Sequence, residues 1–345
     1  MDLSPGVAYF LNQLDKLLLS TGSHLSVTSL LAALSISVLF LVFRRHKRNR
    51  RIRLKTIARA LFPRRITASR SNFTDIGYLF FNVFVFGLIF GWAVLSYQFL
   101  SNAIVGFLVA IFGAMQPPPL PEIVSRSVIT LMLFLAYELG YWLNHYLSHR
   151  IPILWEFHKV HHTATVLTPL TLFRVHPVYT AIFANILAIA TAVASGFGNY
   201  VFGHTTYQYA LSDSNIILVL FIHTYVHLQH THLWIPFTGV LGRIFMSPAH
   251  HQVHHSTSPT HFNKNLGSCL AVWDWMFGTL YVPKREPEVS SFGVDPDNKD
   301  VDTIYGALLA PILQAAARVT AAFRRRSPRS LTAVSVQDRK PARQT

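Results

Sequence analysis

138-ELGYWLNHYLSHRIPILWEFHKVHH-162 is the stretch on which the reading of this chain turns. It holds His145 and His149 as HxxxH, then His158, His161 and His162 as HxxHH, and the second spacing returns in 251-HQVHH-255 as His251, His254 and His255. Residues three and four apart are neighbours on a helix face, so each cluster presents imidazoles that can converge. Sixteen of the eighteen histidines lie between 145 and 261, a window with only two acidic residues, Glu156 and Asp213. Any metal centre here has to be built almost wholly from histidine.

Outward from that stretch the chain is apolar. It is 51% hydrophobic and 13% charged, so the polar coat of a soluble domain is largely missing and an integral membrane protein is expected. Residues 25–43 carry no charge over nineteen positions, enough for about 30 Å of helix and one bilayer crossing. A secretory signal would have its charges before a shorter apolar run; here the basic run 44-RRHKRNRRIRLK-55 follows it, which favours a retained anchor. Further apolar segments occupy 77–100, 127–143, 177–195 and 214–229, and a shorter one at 103–115 reads as re-entrant or interfacial. Residues 44–70 hold twelve Lys or Arg, against one in 101–126 and none in 196–213. The positive-inside rule then puts 44–70 in the cytoplasm, and counting crossings brings every histidine cluster, with His223, His227 and His230, to the cytoplasmic face.

The expected fold is an all-α integral membrane protein of four to five transmembrane helices, with a cytoplasmic histidine-rich helical cap over a dinuclear metal site. Residues 1–70 form an anchor and basic segment, 71–285 the membrane domain, and 286–345 an amphipathic helix at 303–320 followed by a basic, disordered tail from Arg324. In that helix Ile304, Leu308, Leu309, Ile312 and Leu313 can share a face and lie on the membrane surface. The net charge of +15 fits phosphate binding in principle, but a basic run directly after a hydrophobic span is explained by topology and anionic lipid, so no nucleic-acid partner is expected. One cysteine, Cys269, rules out an intrachain disulfide, an iron–sulfur cluster and a thiolate zinc site, and electrons must come from outside the chain.

Imidazole suits zinc, copper, iron and nickel, so ligand type alone does not choose the metal. Number is more informative, because eight to eleven histidines exceed the four-coordinate demand of one zinc. Two metals follow, and a dinuclear site of that kind could activate dioxygen.

Together with 230-HTHLWIP-236, 247-SPAHHQVHHS-256 and 265-NLGSCLAVWDWMFGT-279, the opening stretch resembles the fatty acid hydroxylase/sterol desaturase superfamily of membrane di-iron oxygenases, nearest its sterol desaturase-like and alkylglycerol monooxygenase-like branches. The resemblance covers about residues 126–285. It implies iron ligation by His145, His149, His158, His161, His162, His251, His254 and His255, with His230 as the isolated histidine before the third cluster and His227 as its companion. His223 and His250 are further candidates; His251 is preferred over His250 because it keeps the HxxHH spacing. Glu138, Asn144, Asn265 and Asp274 are expected to support the ligands. His176, His204, His232 and His261 read better as polar or hydrogen-bonding residues.

The expected activity is oxygen-dependent hydroxylation or desaturation of a lipid C–H bond in a sterol, fatty acyl chain or ether lipid. It would use two ferrous ions, O2 as co-substrate, no bound organic cofactor, and an external donor of the cytochrome b5, ferredoxin or reductase type. The host membrane is the bacterial inner membrane or the endoplasmic reticulum. A metal-dependent hydrolase would show a carboxylate base near the metal, and a histidine-based ion transporter would place polar groups at mid-bilayer. An inactive lipid-binding relative is the third alternative, against which the intact histidine set stands.

Overall fold

The computed structural model describes residues 4–203, 208–211, 213–294 and 304–326. Apart from a two-strand ribbon pairing Ala210–Leu211 with Ser214–Asn215, and isolated bridges, its regular structure is helical. The N-terminal third comprises α1 (Pro5–Leu19), α2 (Val27–Lys47), α3 (Leu54–Leu61), α4 (Arg64–Thr67), α5 (Arg70–Phe80), α6 (Phe86–Phe90) and α7 (Tyr97–Phe112). Next come α8 (Glu122–Arg150), α9 (Pro152–His162), α10 (Pro177–Phe202), α11 (Ile216–Phe221) and α12 (His227–Gln229). The short α13 (Gly239–Ile244), α14 (Pro248–His254) and α15 (Val272–Met276) precede α16 (Ile304–Arg326).

Four stretches are long and apolar enough to cross a membrane: Val27–Lys47, Gly91–Phe112, Glu122–Arg150 and Pro177–Phe202. This corrects the expected spans in one region. The run 77–100 is not one crossing helix, because a π turn at Phe81–Val85 and a 3-10 turn at Gly91–Ala93 interrupt it. Asn82 in the π turn donates to the carbonyls of Phe173 and Val175 at 3.0 and 3.1 Å, and the Leu95 amide donates to Asn185 Oδ1 at 2.8 Å. Both breaks are therefore fastened to neighbouring elements. Residues 103–112, expected in a re-entrant piece, instead complete a span-length stretch, while the last apolar run is the shorter Ile216–Gln229.

Helices α7, α8 and α10 pack through small residues. A Cβ on Gly196 would lie 2.6 Å from Ile104 Cβ, and one on Gly140 would lie 3.0 Å from Ala190 Cβ, so glycine sets these approaches. Ser101 and Ser195 add a buried hydroxyl pair at 3.1 Å. Phe107 and Phe112 on α7, and Val193 and Phe197 on α10, are exposed, an arrangement suited to lipid rather than water.

Pro152 opens α9 directly after α8 ends, reversing the chain so that α9 lies beside the histidine end of α8. A buried ion pair holds this corner. Arg174 Nε donates to Asp75 Oδ1 at 2.6 Å, Arg174 also reaches Ser71 and Thr163, and Thr171 donates to Asp75 Oδ2 at 2.7 Å. The expected amphipathic helix is present as α16, but it lies on α9 as well as presenting an apolar face outward. Ala307 packs with Tyr78 and Val160 and Arg318 pairs with Glu156, while Leu309, Ile312 and Leu313 remain exposed. The tail at 327–345 lies outside the described residues.

Candidate metal centre

Every histidine of the three clusters comes to one end of the helix bundle, and there the clusters re-sort. His145, His149, His158, His162 and His254 form one group and His161, His230, His251 and His255 another, with the candidate ligand atoms of each group within 4.8 Å of one another. The sorting follows helix periodicity. In α9 the i,i+4 pair His158 and His162 serves the first group while His161, on another face, serves the second. In α14 and its C-cap the roles are exchanged, His251 and His255 serving the second group and His254 the first. Each HxxHH motif thus bridges both groups.

Within the groups ring nitrogens face ring nitrogens. His230 Nε2 stands 3.1 Å from His161 Nε2 and 2.8 Å from His251 Nε2, and His251 Nε2 is also 3.1 Å from His255 Nε2. In the first group His158 and His162 meet through Nε2 at 3.1 Å. A neutral imidazole nitrogen has one proton or one lone pair, not both, so His230 and His251 cannot satisfy two neighbours by hydrogen bonds. A shared cation would satisfy all of them. Burial, reinforced by neighbouring His254, pushes His161 down to about 3, and burial pushes His254 down to about 4. The rings are therefore neutral at pH 7, the form that ligates metal.

The second ring nitrogen of two ligand candidates goes to main chain. His145 Nδ1 donates to Leu266 O at 2.7 Å and His254 Nδ1 to Lys264 O at 2.9 Å, leaving both Nε2 atoms buried without a hydrogen-bond partner. Asp274 stands behind that carbonyl: its carboxylate accepts from the Leu266 and Gly267 amides at 2.8 and 2.7 Å and from Thr279 Oγ1 at 2.5 Å. Burial pushes Asp274 up while these donors oppose the shift. Glu138 accepts from the Cys269 and Leu270 amides at 3.0 and 2.8 Å. Asn265 joins the His250 carbonyl to the Tyr281 amide, and Asn144 donates to Tyr179, whose ring lies over His158 at 4.7 Å. The four expected supporting residues thus hold the histidine-bearing segments and make no hydrogen bond to the ring nitrogens that face one another.

Three expected candidates are not brought into either group. His227 Nε2 bonds Ser29 Oγ at 3.0 Å, and His223 bonds Thr28 Oγ1 and Val219 O at 3.0 and 2.9 Å. A regular helix over 214–231 would set His223, His227 and His230 on one face, but a π turn at Ile222–Val226 shifts the phase and His230 is already past the end of α12. His250 is the fourth residue of a capping box with Ser247. Its Nδ1 accepts from the Ser247 amide at 3.1 Å and its Nε2 donates to Gly242 O at 2.9 Å, so both ring nitrogens are used. His176 and His232 likewise bond the carbonyls of Leu308 and Ala60, His261 packs on Tyr281, and His204 lies outside the described residues.

Sequence reading missed Gln229 and Gln252. Gln229 donates to Ser268 O at 3.0 Å, and Gln252 donates to Thr231 O and Leu233 O, both at 2.9 Å, fixing the turn that carries His230. Gln252 was visible inside the third cluster as a polar residue between ligands. Nothing local marked the Asp75–Arg174 pair.

Residues 130–279 match the fatty acid hydroxylase family. Alkylglycerol monooxygenase of Danio rerio is 28% identical over 149 residues, covering 43% of this chain and 30% of that protein. Ornithine lipid hydroxylase of Rhizobium tropici is 29% identical over 157 residues (46% and 43%), and cholesterol 25-hydroxylase of Mus musculus 30% over 169 residues (48% and 50%). The matches thus span between about a third and half of these relatives' lengths. No solved structure matches the chain.

Proposed function

We propose, on the likeness of residues 130–279 to the fatty acid hydroxylase family, that this chain is an oxygen-dependent membrane hydroxylase of lipid C–H bonds. His145, His149, His158, His162 and His254 would hold one iron and His161, His230, His251 and His255 the other. When bound, the pair supplies the oxygen chemistry: one atom of O2 enters a C–H bond and the other leaves as water, with two electrons from an external donor and two protons from solvent. Hydroxylation is preferred over desaturation because the similar proteins named above are hydroxylases and monooxygenases.

The observation that carries this reading is the pair of buried, all-histidine groups at the end of an apolar bundle. The nine histidines of the two groups exceed the four-coordinate demand of a single zinc ion, which supports two metals.

A hydrolase is disfavoured by the fate of the carboxylates. Glu156 is spent on Lys159 and Arg318, Asp75 on Arg174, Asp274 on backbone amides and Thr279, and Glu138 on two backbone amides through Oε2. Among the described residues none of these is placed as a base at the histidine groups. Lys and Arg at 44–70 support a cytoplasmic position for the cap, in a bacterial inner membrane or endoplasmic reticulum. The test is metal analysis of anaerobically purified protein together with lipidomics of cells with and without it. Iron near two per chain and an oxygen-dependent hydroxylated lipid are expected; zinc instead, no such lipid, and function retained in H161A overturn the reading.

A further inference from the structure

The face of α8 that bears histidines begins well before them. Leu133, Tyr137, Tyr141, His145 and His149 follow at four-residue intervals, a stripe that winds about 40° around the helix at each step, so that neighbours in it lie one above the other. The first three line a cavity of about 440 Å³, whose facing wall includes Leu218, Ile222 and Val226 of the segment leading to His230. Both walls thus belong to segments that further along carry members of the histidine groups, His145 and His149 on α8 and His230 after α12. Tyr141, edge-on to His145 at 5.8 Å, and Gln229, next to His230, mark the inner end.

The opposite end is polar, with His24, Gln208, Asp213 and Ser214 beside Asn215. Its level is that of Thr130, whose carbonyl accepts from Asn215 Nδ2 at 2.9 Å and whose hydroxyl accepts from the Tyr209 amide at 2.8 Å. From Thr130 to His145 along α8 is about 22 Å. That exceeds the roughly 15 Å of one leaflet's hydrocarbon, so only a long chain anchored at the polar end reaches the histidines.

Charge separates this cavity from a second one of about 470 Å³ in the cap. The second is lined by His149, His162, His254 and His255 and carries Arg150 and Arg318. No Lys or Arg is among the described residues lining the first, and Asp213 gives it a carboxylate. An anionic head meets two guanidinium groups in the second cavity, whereas beside the first Arg126 is held over the Tyr209 ring at 4.3 Å and is not among the lining residues.

We propose, resting on the hydroxylase reading above, that the first cavity is the substrate site and takes a single-chain amphiphile with an uncharged or amine-bearing, hydrogen-bonding head. The head lies at the Gln208–Asn215 end and oxygen enters the chain far from it, by the balanced two-electron step already given.

The test uses the purified full chain with its metals, and octadecanol and octadecyl phosphate as probes of equal chain. Octadecanol is expected to bind at least about tenfold more tightly, a difference near 1.4 kcal/mol. Leu133→Trp and Leu218→Trp, which fill the cavity midway, each weaken octadecanol binding by a similar factor at unchanged metal content and leave octadecyl phosphate unaffected. The product hydroxyl lies near the far end of the octadecyl chain, as a reach of about 22 Å requires. Tighter binding of octadecyl phosphate that is lost in R318A, or a hydroxyl on a carbon adjoining the head, overturns the proposal and leaves lipid hydroxylation standing. Octadecanol bound as expected, with no oxygen-dependent product from any lipid, supports the cavity assignment and overturns the hydroxylase reading.

Discussion

Asp274→Asn changes one oxygen to an amide at the point where a carboxylate, a peptide and a ligand histidine are in series. The peptide joining Leu266 to Gly267 accepts from His145 through its carbonyl at 2.7 Å and donates to Asp274 through its N–H at 2.7 Å. An Asn side chain can keep its oxygen toward Leu266 N and Thr279 Oγ1, but its NH2 then meets the Gly267 N–H. A charge-assisted bond worth about 1.5–3 kcal/mol is lost and a buried donor is left unsatisfied, so the expected destabilisation is about 2–4 kcal/mol. With the carbonyl less polarised, His145 becomes a poorer ligand, and metal affinity of its group should fall about 10- to 100-fold. Unfolding and chelator-competition titrations in one detergent measure the two effects. Thr279→Val is the control, because it removes a donor to Asp274 without touching the peptide, and should leave affinity unchanged. D274N protein that unfolds within about 0.5 kcal/mol of the parent and holds metal within about twofold refutes the series arrangement.

Three further outcomes are expected. H162A and H161A should each lower metal content from two per chain toward one, whereas H223A, H227A and H250A should not, as elemental analysis can decide. R174M, which leaves Asp75 buried without its partner, should cost about 3–5 kcal/mol in unfolding measurements, and the double variant R174M/D75L should lose less than the single one. Metal-free protein should lose stability as pH falls from about 6.5 toward about 4, followed by thermal melting across that range. Burial holds His161 at about 3 and His250 and His254 at about 4, below their value of 6.5 in the open chain, so in this window the unfolded chain binds more protons and acid favours it. Stability independent of pH there would show the rings to be solvated.

Much of the bundle was legible because hydropathy is local: apolar runs of span length marked α2, α8 and α10 without knowledge of their neighbours. The run at 77–100 misled for the same reason. Its hydropathy is continuous, but Asn82 and Asn185 tie the backbone breaks to residues about ninety positions away. The residues that sort into two histidine groups were likewise visible as HxxxH and HxxHH, since four-residue spacing fixes a helix face.

The sequence by itself determined that converging imidazoles, an apolar bundle and almost no carboxylate had to coexist. Only the tertiary structure decided which imidazole meets which. His161 meets His230 across 69 residues and His145 finds the Leu266 carbonyl across 121, contacts on which spacing within a motif is silent. It also decided which histidines stand aside. A π turn turned His223 and His227 toward α2, away from the groups, and a capping box with the Gly242 carbonyl consumed both nitrogens of His250, which leaves that ring nothing to offer a metal.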